Sequence, residues 1–306
     1  MRRYLTRRVA VAVPTLLAVT VLIFVAMRVV PGDPAVLLAG DFATPETVQA
    51  LRAKWGLDRS LPVQYGVFFR NLLRGDLGTS IVSDLPVRDE ILQRFRVTII
   101  LAVCAIAVAL VIGFSAGIAG ATRPYTAWDY GSMATALVGV STPIFWSGML
   151  LILVFAVRLG WLPSGGADAW QGYVLPAVSL GFFAAGVIAR QTRSAMLDVL
   201  RQDYVRTARA KGVRESRVNA HHALRNALIP VATIVGLEFG RMLGGAVLTE
   251  TVFSLPGLGS FLIVSIAKRD YPVVQGIVLW IALAFVMINV LVDVLYAVLD
   301  PRIRYA

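Results

Sequence analysis

Two histidines stand side by side at 221 and 222, a single cysteine lies at 104, and three charged residues, Glu238, Arg241 and Asp293, interrupt otherwise apolar stretches. Adjacent histidines point to different faces of a helix and make a poor metal pair. An intramembrane serine hydrolase needs a histidine base inside the bilayer beside its nucleophile, whereas both histidines fall in a strongly basic polar segment. One cysteine forms neither an intrachain disulfide nor a cysteine-rich metal site. No G-x-x-x-x-G-K-[ST] run is present to cradle nucleotide phosphates, and no H-E-x-x-H. The expectation is a chain that is not an enzyme and holds no cofactor or metal of its own.

Glu238 and Arg241 are three apart, share a helical face and can pair, which lowers the cost of burying either. Gly236, Gly240 and Gly244 recur beside them at four-residue spacing, as Gly113 and Gly117 do earlier. Such stripes let helix backbones approach closely where lipid supplies no hydrophobic drive, so the first stripe with its charged pair marks a helix-packing or pathway surface. Asp293 reads as an interfacial residue near a helix end or as a member of a proton relay.

The 306 residues are 58% hydrophobic and 15% charged, with a mean hydropathy of +0.74. That is far more apolar than a soluble domain. A helix needs roughly 20 apolar residues to cross the hydrocarbon core. On that basis the chain is an all-α, polytopic membrane protein with six spans over about 9–30, 97–122, 130–157, 170–190, 227–250 and 272–298. The first run is too long for a signal-peptide core and continues without a small-residue cleavage site, so it reads as a retained span.

Sixteen of the 29 basic residues, against five acids, fall in the N-terminus, the loop around Arg123, the segment 190–225 and the C-terminus; the opposite side holds eleven of each. The whole net charge of +11 therefore sits on one face, and the positive-inside rule places that face and both termini in the cytoplasm. A basic cytoplasmic face demotes nucleic acid as a partner, and membrane lipid takes its place.

Residues 1–96 read as the first span followed by a small extracytoplasmic subdomain over about 31–96, and 97–306 as a core of five spans. In "TPETVQALRAKWGLD", Thr44 is an N-cap, Pro45 the first helical residue, Glu46 a first-turn acid and Gly56 a stop. "LPVRDEILQRF" is an amphipathic helix feeding the second span. Pro143 predicts a kink in the third span. Proline and glycine in "TVFSLPGLGSFLIVSIAKRDYP" suit an interfacial or re-entrant piece on the outer side.

The cytoplasmic segment 194–226 has a pattern of its own. Met196, Leu200, Tyr204 and Ala208 recur every four residues along one helix, Gly212 then breaks it, and a second helix runs from Val213 to Pro230. By themselves these residues yield a membrane protein with a structured basic cytoplasmic hairpin and no engine, and an amphipathic helix of this kind could simply rest on lipid headgroups. An ion-coupled transporter using Glu238 and Asp293, and a membrane anchor that recruits a partner through the hairpin, are the rival readings.

"DYVRTARAKGV" followed by "HALRNALIPV" resembles the cytoplasmic signature of permease subunits of binding-protein-dependent ABC importers of the peptide and nickel group. The likeness spans the chain: "PGDP", "GLDRSLPVQ", "GDLGTS", "LGWLPSGG", "FSLPGLG", "RDYPVVQG" and "NVLVDVLYAVLDPRIRY" occur in matching order, and the dipeptide and glutathione importer permeases are the most similar. The resemblance implies the type I ABC importer permease fold, a homologous second permease, two cytoplasmic ATPase subunits or domains that bind ATP and magnesium, and an extracytoplasmic substrate-binding protein. It implies import of peptides, or of a nickel chelate, through alternating access in the inner membrane. Thr207, Ala208 and Gly212 match the Ala-Ala and Gly of the general Glu-Ala-Ala-x-x-x-Gly signature, with Arg206 where glutamate is expected. Arg209, Ala210, Lys211 and Val213 complete the implied ATPase contact.

Overall fold

The computed structural model describes residues 2–29, 32–40 and 43–299. The side chain of Asp293 and the residues from Asp300 onward, which include the "DPRIRY" end of "NVLVDVLYAVLDPRIRY", lie outside the described residues, as does Pro31 of "PGDP". Helices account for most of the rest: α1 (Arg2–Val29), α2 (Pro34–Ala39), α3 (Pro45–Trp55), α4 (Leu61–Leu73), α5 (Val87–Thr122), α6 (Ala127–Ser141), α7 (Ile144–Leu151), α8 (Val174–Leu200), α9 (Asp203–Ala210), α10 (Glu215–Arg217), α11 (Arg225–Val252), α12 (Leu258–Ala267) and α13 (Tyr271–Leu299). Among the described residues five helices are long and apolar enough to cross a membrane, six if the bent pair α6–α7 is one span. The chain divides into two compact units, Met1–Thr98 with Pro256–Val286, and Ile99–Leu255 with Met287–Ala306.

In the first unit the local signals hold as read. The Thr44 hydroxyl accepts from the Thr47 amide and Gly56 takes the left-handed conformation that closes α3. The Glu46 carboxyl is held below its usual range by its own backbone N–H and the Thr44 hydroxyl, the favourable arrangement for an acid in a first helical turn. α5 starts outside the apolar run and buries Val87 and Ile91 against Leu258, Val273 and Ile277. Gly276 permits that packing, since a side chain there would meet Val87. A second cluster joins Met27, Ile81, Tyr271 and Val274. Asp270, 3% exposed, ties the two ends of this unit together. It accepts from the Ser80 hydroxyl at 2.5 Å, the Ile81 amide and the Val273 amide. A buried carboxylate is tolerated because it is surrounded by donors.

The second unit is organised around α8, which packs against α6, α7 and α11. Its buried face is rich in small residues, among them Ala184, Ala185 and Gly186. A β-carbon on Gly113 would lie 2.9 Å from the Ala185 carbonyl, and one on Gly117 would lie 2.7 Å from that of Ala189. That stripe is therefore a packing surface within the chain. The predicted kink at Pro143 is larger than expected: α6 and α7 are bent by 103°. Thr142 ends α6 in an extended conformation, its hydroxyl donating to the Val138 carbonyl. The Ser179 hydroxyl donates to the Ile144 carbonyl at 2.9 Å. Polar side chains thus satisfy backbone groups around the break, the usual condition for irregular backbone in a span.

Candidate functional site

The basic hairpin departs from the sequence reading at both ends. A single helix through Met196, Leu200, Tyr204 and Ala208 was expected, but α8 stops at Leu200 and Gln202 turns to an extended conformation before α9 begins. A strict four-residue spacing drifts by roughly 40° per step on a 3.6-residue helix. Breaking the helix lets Val205 and Ala208 turn inward together, while Tyr204 is left exposed. At the other end the helix expected to stop at Pro230 does not. Glu215–Val252 is one continuous run, passing through a wider π-helical stretch, Val218–Leu224, with Pro230 inside α11. Pro230 is exposed, so the cost is one missing ladder bond in an otherwise packed helix.

The turn itself is a Schellman motif. The Val213 amide donates to the Ala208 carbonyl at 3.2 Å and the Gly212 amide to the Arg209 carbonyl at 2.9 Å. Gly212 sits at φ +76, with nothing within 4 Å of where a side chain would project. Only the backbone conformation therefore requires glycine here.

Beneath the turn, Val205, Ala208 and Val218 form a buried cluster to which Val199, Leu200 and Val213 are packed. Above it, Arg206, Thr207, Arg209, Ala210, Lys211 and Gly212 are exposed. Ala208, 8% exposed, is thus a support of the knob, and Val213 is half-buried beside it. Two further ties fix α9 to the helix that becomes α11. Arg209 forms a double hydrogen bond with Glu215, 2.6 and 3.1 Å, which raises the guanidinium above its usual value. Asn226 Nδ2 donates to the Tyr204 hydroxyl at 2.8 Å. The result is a short, stiff basic helix anchored to a membrane-spanning helix.

On α11, Arg241 Nη1 donates to Glu238 Oε1 at 3.0 Å, the pairing the spacing predicts. The pair is lopsided: the Glu238 side chain is 5% exposed and that of Arg241 68%. The glycine stripe is split. Gly236 packs on Val292 and Gly240 is buried, whereas Gly244 and its neighbour Gly245 meet nothing within 4 Å. Leu237, Arg241, Gly244, Gly245 and Leu248 form one exposed face.

Two features escaped sequence reasoning. Arg193 on α8 donates through Nε and Nη2 to the two oxygens of Asp129 on α6, both at 2.6 Å, and Asp129 is 2% exposed. The partners are 64 positions apart, and the only signal was a charge of each sign beside a span end. The run Gly113 to Gly117 also has G-x-S-x-G spacing, the nucleophile-elbow pattern. Ser115, however, is in the middle of α5, its hydroxyl donating to the Val111 carbonyl; an elbow needs a strand-to-helix turn. His221 and His222 meet edge-on, and no group of three or more His, Cys, Asp or Glu able to hold a metal occurs among the described residues.

Long apolar helices packed through small residues, with a basic knob built onto one of them, define a polytopic helical membrane protein. Residues 109–305 match the family model of the binding-protein-dependent transport system inner membrane component, and residues 1–102 match its N-terminal companion. The chain is 50% identical over 305 residues to the glutathione transport system permease protein GsiC of Pectobacterium atrosepticum, covering 100% of both chains. It is 48% identical, with the same coverage, to GsiC of Escherichia coli K12. Among solved structures, a chain of the inward-facing MetNI methionine ABC transporter superposes with a TM-score of 0.56 at 18% identity, over 69% of this chain and 96% of that one. An amino acid ABC transporter gives 0.52 at 16% identity, over 70% and 94%. The chain belongs to the family of binding-protein-dependent transport system inner membrane components, the permeases of ABC importers.

Proposed function

We propose that this permease imports small peptides, glutathione foremost, across the cytoplasmic membrane, driven by ATPase subunits that dock on the Gly212 hairpin. The observation that carries the coupling is the continuity of the knob with a span: α9 is fixed by Val218, Glu215 and Asn226 to the same helix that runs on as α11. A displacement of α9 is delivered to α11 without an intervening flexible loop. The exposed Arg206, Thr207, Arg209, Ala210, Lys211 and Gly212 form the docking face, with Ala208 and Val213 beneath it. ATP and magnesium belong to the docked subunits, and energy enters as a difference in contact between two states.

The substrate reading is supported by the full-length likeness to proteins named as glutathione transport permeases. The basic face at the termini and hairpin supports a cytoplasmic location for both, which makes about 31–96 an extracytoplasmic subdomain facing the substrate-binding protein. A homologous second permease completes the pathway. The open face of α11 is assigned to that pathway: a guanidinium as exposed as Arg241 in mid-span is too costly against lipid. Gly236, Gly240 and Glu238 pack behind it, and Gly244 leaves room in front.

The test is reconstitution of this chain with its homologous permease and ATPases in proteoliposomes containing the binding protein. ATP-dependent uptake of glutathione is expected. Uptake by this chain alone, driven by a proton or sodium gradient and indifferent to ATP, would overturn the reading.

A further inference from the structure

We propose that the first unit carries a binding site for a small peptide with more carboxylates than amines, in the cavity of about 330 Å³ lined by α3, α4 and the start of α13. The size falls at the low end of small-ligand pockets, roughly 300–1,000 Å³. The proposal rests on the importer reading and adds a recognition site outside the spanning core.

Its charge is unbalanced toward donors. Arg28 and Arg59 line the cavity, and neither has a carboxylate partner among the described residues. Arg28 is held but not neutralised. Its Nε and Nη2 donate to Gln64 Oε1 at 3.0 and 2.9 Å and its Nη1 to the Phe24 carbonyl. Gln64 is fixed in turn, donating to the carbonyls of Leu57 and Arg59. Neutral acceptors that orient a guanidinium and leave its charge intact preorganise it for an anion.

The second observation is independent of charge. Gln275, 4% exposed, also lines the cavity, and its Nε2 is buried without an acceptor. Leaving such a donor unpaired costs about 1–3 kcal/mol, and a ligand oxygen in the cavity would supply the missing acceptor after a small side-chain rotation. On the same wall, Asp76 uses Oδ1 to accept from the Gly78 amide at 2.8 Å, which leaves Oδ2 to accept from an ammonium. Lys54 also lines the cavity but is paired with Asp84 at 3.3 Å. The two guanidinium groups and the amide donor that remain, against one carboxylate, fit a peptide of net charge −1 with two carboxylates and one amine. A phospholipid headgroup offers the same pairing of oxyanion and amine, and is the competing source.

The experiment is calorimetric titration of the purified full-length chain in detergent with glutathione and with its dimethyl ester. Saturable binding of glutathione is expected, with the ester, which lacks both carboxylates, weaker by about a hundredfold or more, the loss of two charge-assisted hydrogen bonds. Arg59→Gln, on an exposed residue, should weaken glutathione by about tenfold, the loss of one such bond. Gln275→Leu should weaken it while raising the melting temperature of the ligand-free protein, a combination that a purely structural role does not produce. Absence of saturable binding, or unchanged affinity in both variants, overturns the site. A phospholipid found by native mass spectrometry on wild type and lost in Arg59→Gln, with no glutathione bound after its removal, assigns the cavity to lipid and also overturns it. ATP-driven uptake by the reconstituted wild type is read separately, so uptake without binding here removes this site alone.

Discussion

Arg209 and Glu215 face each other across the Gly212 turn, joined by hydrogen bonds of 2.6 and 3.1 Å. Both side chains are well exposed, and exposed pairs contribute about 0–1 kcal/mol. The pair therefore sets the angle between α9 and the helix leading into α11 more than it holds the fold. Replacing either residue by alanine should leave thermal stability in detergent within about 1 kcal/mol and slow ATP-driven uptake. The swap Arg209→Glu with Glu215→Arg should restore uptake, and a swap as slow as the single variants would count against an angle-setting role.

Gly212 is constrained by its backbone alone. Gly212→Ala meets no neighbour and should cost about 1–2 kcal/mol for the left-handed conformation. Gly212→Pro fixes φ near −65° and removes the N–H that donates to Arg209. It should leave membrane insertion intact while abolishing both uptake and capture of the ATPase subunits on affinity resin. Normal uptake by the proline variant would remove the hairpin from the coupling path.

Ala208 and Ala210 are two residues apart on α9, one buried and one exposed, so the same substitution separates support from contact. Ala208→Leu overfills the cluster with Val205 and Val218 and should destabilise by about 1–3 kcal/mol. Ala210→Leu should leave the melting temperature unchanged and weaken ATPase capture. Equal capture by Ala210→Leu and wild type would move the docking face elsewhere.

These differences mark where sequence was enough. α3 was legible to its caps because Thr44, Pro45 and Gly56 act on their own neighbours, and α5 because its apolar face continues into the span. The break at Gln202 was not, since it is set by what Val205 and Ala208 pack on, and periodicity found Ala208 but read Tyr204 where Val205 packs. Pro143 signalled a bend but not its size, which depends on Ser179 from another helix satisfying the Ile144 carbonyl. Pro230 misled in the other direction, because a long packed helix absorbs one missing bond. On α11 the spacing of Glu238 and Arg241 gave their pairing, while the split of the glycine stripe into a packed end and an open end needed the position of Val292.

The Asp129–Arg193 pair left no signal in sequence beyond a charge of each sign beside a span end, and it is a stability test. Breaking a fully buried ion pair by removing one partner costs about 3–5 kcal/mol. Here the Asp129 side chain is 2% exposed but that of Arg193 is 25% exposed, so water recovers part of the cost of the stranded guanidinium. Asp129→Asn should therefore lose stability by less than that range, read as a drop in melting temperature. The double variant Asp129→Asn with Arg193→Gln should recover part of it, since no unpaired charge remains.

Arg241 separates a structural pair from a pathway residue. If its guanidinium served only to neutralise Glu238, Arg241→Lys would keep the charge and transport would be unaffected. If the exposed side chain also meets the carboxylates of a passing peptide, lysine loses the planar two-pronged contact that arginine makes. Transport of glutathione should then fall by about tenfold, the loss of one charge-assisted hydrogen bond, while transport of a neutral peptide through the same reconstituted complex changes little. Arg241→Gln should widen that gap between the two substrates. Measuring both on one preparation makes protein yield and insertion common factors, so an equal loss for the acidic and the neutral peptide would return Arg241 to a structural role.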